Sequence, residues 1–345
     1  MRIAIISDAG APQVNGVVHT LSATQRCLRE AGHNVLMVEP RDFHTFACPT
    51  YPEIRLAYQP YRKISALLTA FQPDCIHIAT EGPLGLAARR YCLRHGLDFT
   101  TAYHTRFPEY LSARKLLPQA LTYRLLRWFH GRSKAVMAPS PAIKTALEAQ
   151  GFRNVALWSR GVDADCFKPD VEDRACIERP LFLYVGRVAR EKNIEAFLKL
   201  DLPGNKWVIG DGPMRAELES RYPQVRFLGA KSHDQLSVYY NCADVFVFPS
   251  RTDTFGLVLV EAMACGVPVA AYPVPGPLDV VANGVSGILD EDLGKACHEA
   301  LKLDRERTRE HALTFSWEAA TQQFLEHLHP ARPMMADAGM LPAPR

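Results

Sequence analysis

Within the stretch 249–269, Asp253 and Glu261 stand eight positions apart with Gly256 between them. The stretch reads strand, loop, helix, turn, strand. Asp253 or Thr254 is placed to cap the helix, Gly256 removes a side chain near its start, and Gly266 ends it. A helix start of this kind presents backbone N–H groups suited to phosphate. Asp253 precedes the helix and Glu261 lies more than a turn inside it, so at ~1.5 Å per residue the two acids are well separated. Such spacing fits poorly with a glycosidase pair, whose carboxyls face each other over ~5–9.5 Å across one bond. It fits two acids gripping opposite ends of a long ligand, with a diphosphate at the helix start. The bland alternative is one capping acid and one solvated acid.

Two cations are expected to face the same place. Arg187 follows the end of a strand and Lys192 opens the next helix. Both can therefore face a cleft at the strand ends. Read blandly, they are surface cations. His104 ends another strand, at Tyr103-His104-Thr105, and Gly16 lies in the first strand-to-helix turn. That turn is not GxGxxG, so it carries no dinucleotide fingerprint. Glu81, also at a strand end, reads as a helix cap or as a partner of acceptor or Arg106.

These residues need elements to hold them. Short apolar runs at 2–7, 34–39, 74–79, 99–104 and 135–138 read as strands, alternating with helical patterns at 17–31, 61–71, 84–95 and 142–150. The pattern restarts with strands at 181–185, 206–209, 225–228, 245–248 and 267–271 and helices at 190–199, 214–222, 233–241 and 256–265. The expected fold class is α/β, with two doubly wound parallel sheets. Lys168-Pro169-Asp170 interrupts the pattern, which puts one domain at 1–167 and a second at 168–315. A last helix near 316–329 has no strand after it, and the Ala/Pro/Met-rich tail 330–345 is expected to be disordered. Tandem open sheets favour a ligand cleft at their strand carboxyl ends.

Composition narrows the classes. The chain has 345 residues, 48% of them hydrophobic, and a net charge of +3, too small to argue for nucleic acid. The nine cysteines are scattered, with no CxxC pair, and read as reduced, mostly buried thiols and not as a zinc centre. No signal peptide is expected at the start, and no apolar run approaches the roughly 20 residues of a membrane span. From Arg106 to Lys134, however, seven cations face the single acid Glu109 among Leu121, Leu125, Trp128, Phe129 and other apolar residues. That mixture suits a segment resting on anionic lipid, or equally an amphipathic core helix with a basic outer face.

Taken together, the motifs resemble the family 4 retaining glycosyltransferases of the GT-B fold, in which two Rossmann-like domains face each other across a cleft. The match runs through Gly16, Tyr103-His104-Thr105, Val185-Gly186-Arg187, Lys192, Gly210-Asp211-Gly212-Pro213, Phe227-Leu228-Gly229, the acid-x7-Glu block and Phe315-Ser316-Trp317-Glu318. One departure is Asp253, where the family usually has Glu. The resemblance implies that Glu261 holds ribose, Asp253 the hexose, and Arg187 and Lys192 the diphosphate. It places Gly16, Phe255, Gly256, Leu257 and Val258 against the donor and His104 on a sugar hydroxyl. It implies a closing helix that crosses back to the first domain, front-face substitution, and neither metal nor cofactor.

Within the family the chain looks most like GDP-mannose-dependent α-mannosyltransferases and sulfoquinovosyl-lipid synthases. The expected activity is transfer of mannose from GDP-mannose to a lipid or glycan acceptor by a cytoplasmic enzyme, peripheral on the inner face of the membrane. A UDP-hexose donor, a non-catalytic nucleotide-sugar-binding protein and a non-hydrolysing epimerase are the alternatives.

Overall fold

The computed structural model describes the chain except residues 14, 49–50, 107, 110–116, 171–178 and 332–345, and only the backbone of 51–53. The first half runs β1 (Arg2–Ile6), α1 (Gly16–Glu30), β2 (Asn34–Val38), β3 (Thr45–Cys48), β4 (Tyr51–Ala57), α2 (Tyr61–Phe71), β5 (Cys75–Ile78) and α3 (Pro83–His95). It continues with β6 (Thr100–Ala102), α4 (Gln119–His130), β7 (Val136–Ala138), α5 (Pro141–Ala149) and β8 (Val155–Leu157). Six of these strands form a parallel sheet in the order β2-β1-β5-β6-β7-β8.

The second half contains β9 (Leu181–Val185), a 3-10 turn (Arg190–Lys192), α6 (Ile194–Leu198), β10 (Asn205–Ile209), α7 (Arg215–Arg221), β11 (Arg226–Phe227) and α8 (His233–Cys242). There follow β12 (Val245–Phe248), α9 (Leu257–Ala264), β13 (Val269–Ala271), α10 (Pro277–Val280), β14 (Gly287–Leu289), α11 (Leu293–Ala300), α12 (Arg305–Ala312) and α13 (Trp317–His327). Its sheet is also parallel, in the order β11-β10-β9-β12-β13-β14. β5, β9 and β12 are buried along their whole length, as strands covered on both faces must be. Strand order reverses at β1/β5 and at β9/β12, the places where open α/β sheets tend to bind ligands.

Helix α13 packs against α1. Phe324 sits edge-on to His77 at 4.9 Å and beside Trp158 at 4.9 Å, inside the core of the first half. Pro330 bridges to Cys75 and the Ala331 amide donates to the Asp74 carbonyl at 2.7 Å. The tail expected to be disordered is therefore anchored at its first two residues; the remainder lies outside the described residues.

Several elements were not expected. The antiparallel β3–β4 hairpin forms a two-stranded sheet of its own. Strands β8 and β14 and helices α10, α11 and α12 are further additions. The helix expected over 190–199 is split, because Asn193 takes a left-handed conformation between the 3-10 turn and α6. The eight described cysteines carry no disulfide and six are buried; Cys176 lies outside the described residues.

Candidate active site

Four loops converge between the two sheets. Gly16 opens α1, capped by Asn15, whose side chain accepts from the Val17 and Val18 amides at 3.0 Å each. Gly16 has no left-handed backbone, and a Cβ there would meet only a Leu257 methyl at 3.6 Å, ordinary contact distance. Neither backbone nor packing demands glycine at this position. The contact also shows that the first turn of α1 faces the first turn of α9 across the cleft.

His104 lies just beyond β6. Its Nδ1 faces the Arg160 guanidinium at 3.2 Å, and since arginine only donates, Nδ1 accepts and Nε2 carries the hydrogen. That Nε2 is buried and has no partner. Burial, with the Arg160 charge beside it, holds the His104 pKa well below the ordinary imidazole value, so the ring is neutral. Arg160 is itself buried against the Trp158 ring, 4.4 Å from its centre, and donates to the Trp158 and Ser159 carbonyls at 2.6 and 2.9 Å. Desolvation lowers its pKa to about 9, still cationic at neutral pH.

Opposite His104 lies the loop that leaves β12. The Thr254 hydroxyl donates to the His104 carbonyl at 2.9 Å and ties the two halves together. Neither Asp253 nor Thr254 caps α9, contrary to the sequence-based expectation. Gly256 is the N-cap, left-handed at φ 86°, and no side chain bonds to the helix start. A Cβ on Gly256 would press on Leu259 at 3.0 Å and Phe248 at 3.2 Å, so packing and backbone both require glycine. Asp253 is left to form an ion pair with Lys192, reached from the 3-10 turn after β9. Its second oxygen, Oδ2, is buried without a partner. Arg187 follows Gly186 in the same β9 loop, where its carbonyl accepts from the Tyr184 hydroxyl at 2.8 Å.

Leu257 and Val258 begin α9 and Phe255 packs edge-on to Phe315 at 6.0 Å. One turn further, Glu261 is buried and its Oε2 accepts from the Tyr240 hydroxyl at 2.9 Å. Burial raises its pKa to about 7, and the Tyr240 bond opposes that rise. Glu81 neither caps α3 nor meets Arg106. It pairs with His130 at 3.2 Å, while Arg106 pairs with Glu109 at 3.0 Å. The start of α3 is served instead by Asp8, whose carboxylate accepts from the Leu84 and Gly85 amides at 2.8 and 3.2 Å.

Sequence reading missed Arg160, Tyr240 and the Thr254 tie. Each acts through a contact made only by folding, and nothing in its local pattern marks it. It also missed a grouping of His19, His233 and Glu261, drawn from three distant helices.

Across the Thr254 tie, the His104 loop carries a buried unpartnered donor, Nε2, and the loop that leaves β12 carries a buried unpartnered acceptor, Asp253 Oδ2. Lys192 is paired with that same Asp253, and α9 starts close by without a side-chain cap.

Residues 14–165 match the family described as Glycosyltransferase Family 4, and residues 174–309 match that described as Glycosyl transferases group 1. A GDP-mannose-dependent alpha-mannosyltransferase of Mycobacterium tuberculosis is 30% identical over 316 residues, 84% of this chain and 83% of that protein. A sulfoquinovosyl transferase of Arabidopsis thaliana is 30% identical over 319 residues, 83% of this chain and 62% of that protein. In fold, the sucrose-phosphate synthase of Thermosynechococcus elongatus superposes with TM-score 0.78 at 24% identity, covering 94% of this chain and 97% of that one.

Proposed function

Because the chain belongs to the family 4 glycosyltransferases of the GT-B fold, we propose that it transfers mannose from GDP-mannose to a lipid or glycan acceptor, with retention and without a metal. The observation that carries the sugar-binding part is the unpartnered pair across the Thr254 tie. Sugar hydroxyls donate and accept at once, so one ring satisfies both the His104 Nε2 hydrogen and Asp253 Oδ2. Leaving either buried group unmet costs about 1–3 kcal/mol, which binding of the ring recovers.

The remaining roles follow along the ligand. The hexose lies between His104 and Asp253. The diphosphate meets Arg187, Lys192 and the amides that open α9, where the helix dipole favours negative charge. To reach it, Lys192 shares or exchanges its ion pair with Asp253. Ribose hydroxyls reach Glu261, and Tyr240 holds that carboxylate in place. In the transfer, the acceptor oxygen bonds to the anomeric carbon as the carbon–oxygen bond to phosphate breaks. The acceptor proton passes to the departing phosphate oxygen, and the two cations take up the charge developing on the diphosphate. Mannose and guanine are favoured over other donors because relatives of this identity and coverage are named for GDP-mannose.

A thermal-shift panel of GDP, UDP, ADP and their sugars tests the donor. A ligand at 100 times its dissociation constant stabilises by ~2.7 kcal/mol, so GDP-mannose is expected to stand out. A shift with UDP-sugars alone would replace the donor and keep the transfer.

The acceptor is proposed to arrive from an anionic membrane. On α4, Leu121, Leu125 and Trp128 are 42%, 51% and 57% exposed beside Arg124 and Arg127. Of the basic stretch, Arg114 and Lys115 lie outside the described residues. Among the described residues no helix is long and apolar enough to cross a membrane. The chain is expected to pellet with anionic vesicles at low salt and less so as salt rises. Arg124→Glu with Arg127→Glu should stop pelleting while donor binding persists. Wild type ignoring anionic vesicles would direct the search to a soluble acceptor.

A further inference from the structure

We propose that His19, His233 and Glu261 form a site for a divalent transition-metal ion, best suited to zinc, and that an ion held there blocks the nucleotide. The second clause rests on the ribose role given to Glu261 above.

One ligand atom from each residue lies within 4.8 Å of the others. His19 is in the first turn of α1, His233 opens α8 and Glu261 is inside α9, so the ligands come from both halves of the molecule. The imidazole centres are 4.1 Å apart and tilted by 40°. Nε2 of His233 is buried with no partner. Tyr240 engages Oε2 of Glu261, so Oε1 is the oxygen left to coordinate.

Aromatic rings wall the group. Phe167 stands edge-on to His233 at 4.7 Å and Trp317 edge-on to His19 at 6.0 Å. The Asp163 carboxylate acts electrostatically on both imidazoles, and it is paired with Arg26 at 3.4 Å.

Two imidazoles and one carboxylate suit zinc, which takes nitrogen at ~2.0–2.1 Å and tolerates an open fourth position. The same set is poor for Mg²⁺, which prefers oxygen and keeps its waters. Tetrahedral ligands at these lengths lie roughly 3.4 Å apart. The two half-buried imidazoles therefore have to close the group by up to about 1.4 Å. A filled site would pin α1 to α8 and α9 across the cleft and occupy the carboxylate that ribose needs. It is a blocking ion, distinct from the metal-free transfer.

Titration of the chelator-treated chain with Co²⁺, followed by visible absorption, tests the site. We expect one equivalent per chain, with a nitrogen/oxygen spectrum and no thiolate charge-transfer band, and displacement by Zn²⁺. His19→Ala and His233→Gln should each weaken binding by at least ~10-fold, with melting temperatures recording that both variants fold. Cys166, next in the chain to the Phe167 that stands against His233, is the competing thiol, and Cys166→Ser should bind as wild type does. A thiolate band, or both histidine variants binding as tightly as wild type, would overturn the site.

In a second arm, Co²⁺ should lower GDP affinity in wild type and have no effect in His19→Ala. Mg²⁺ at equal concentration controls for metal taken up by the diphosphate. Histidine-dependent Co²⁺ binding with unchanged GDP affinity would overturn the ribose role of Glu261 and the block, and leave the metal site standing.

Discussion

The Arg160 guanidinium, 3.2 Å from Nδ1 of His104, fixes which nitrogen of that imidazole carries a hydrogen. A neutral ring whose Nδ1 must accept can only donate through Nε2, the atom that is buried without a partner. Arg160→Met keeps much of the bulk over Trp158 and removes the donor. Turnover is expected to fall by about tenfold or more, while KM for the donor changes less. Unchanged kcat and KM in a folded variant would mark Arg160 as a packing residue only.

Tyr240→Phe removes a hydroxyl that donates to the buried Glu261 carboxylate. Its loss is expected to cost about 1–3 kcal/mol of stability and to weaken GDP binding. Denaturant unfolding and calorimetry measure the two effects. A variant with wild-type GDP affinity would detach Tyr240 from the donor site.

Gly16→Ala separates ligand contact from packing. The unliganded structure has room for the methyl group, and alanine in a helix is favoured over glycine by roughly 0.5–1 kcal/mol. Stability should hold or rise while donor affinity falls. Unchanged donor affinity would release Gly16 from the donor site.

His77 gives stability a pH slope. It is fully buried, bonded through Nδ1 to the Thr100 hydroxyl at 2.9 Å, and burial lowers its pKa from 6.5 to about 3. The unfolded chain binds this proton below pH 6.5 and the native chain does not until about pH 3. Its contribution is therefore present above pH 6.5 and is lost as pH falls toward 3, at up to ~1.4 kcal/mol per unit. His77→Phe is expected to flatten the acid limb of the stability curve. An identical slope in the variant would refute this assignment.

Arg187→Ala is expected to lower kcat more than it alters the melting temperature, since charge on the leaving diphosphate is greatest in the transition state. Chelator-treated wild type should keep its rate. An absolute need for a divalent ion would overturn the metal-free transfer.

Both parallel sheets were legible in sequence wherever strands are buried on both faces, because continuous apolar runs such as 181–185 and 245–248 declare themselves. The β3–β4 hairpin was not, because its first strand is short and only partly covered. Helix α12, with Arg305, Glu306, Arg307, Arg309 and Glu310 in eight residues, offers almost no apolar face to read. At the candidate site, spacing singled out Asp253 and Glu261, yet the cap of α9 was misread. A left-handed Gly256 does that work, which freed Asp253 for Lys192 and Thr254 for His104. Contacts such as Arg160–His104 and His19–His233 join residues remote in sequence, and no local pattern records them.

The account turns on the hexose lying between His104 and Asp253, and paired calorimetric titrations with GDP and GDP-mannose in chelator test it most directly. Wild type should bind GDP-mannose more tightly than GDP. In Asp253→Ala that gap should close while GDP itself still binds. A gap of the same size in Asp253→Ala, or no binding of GDP-mannose to wild type, would contradict the account.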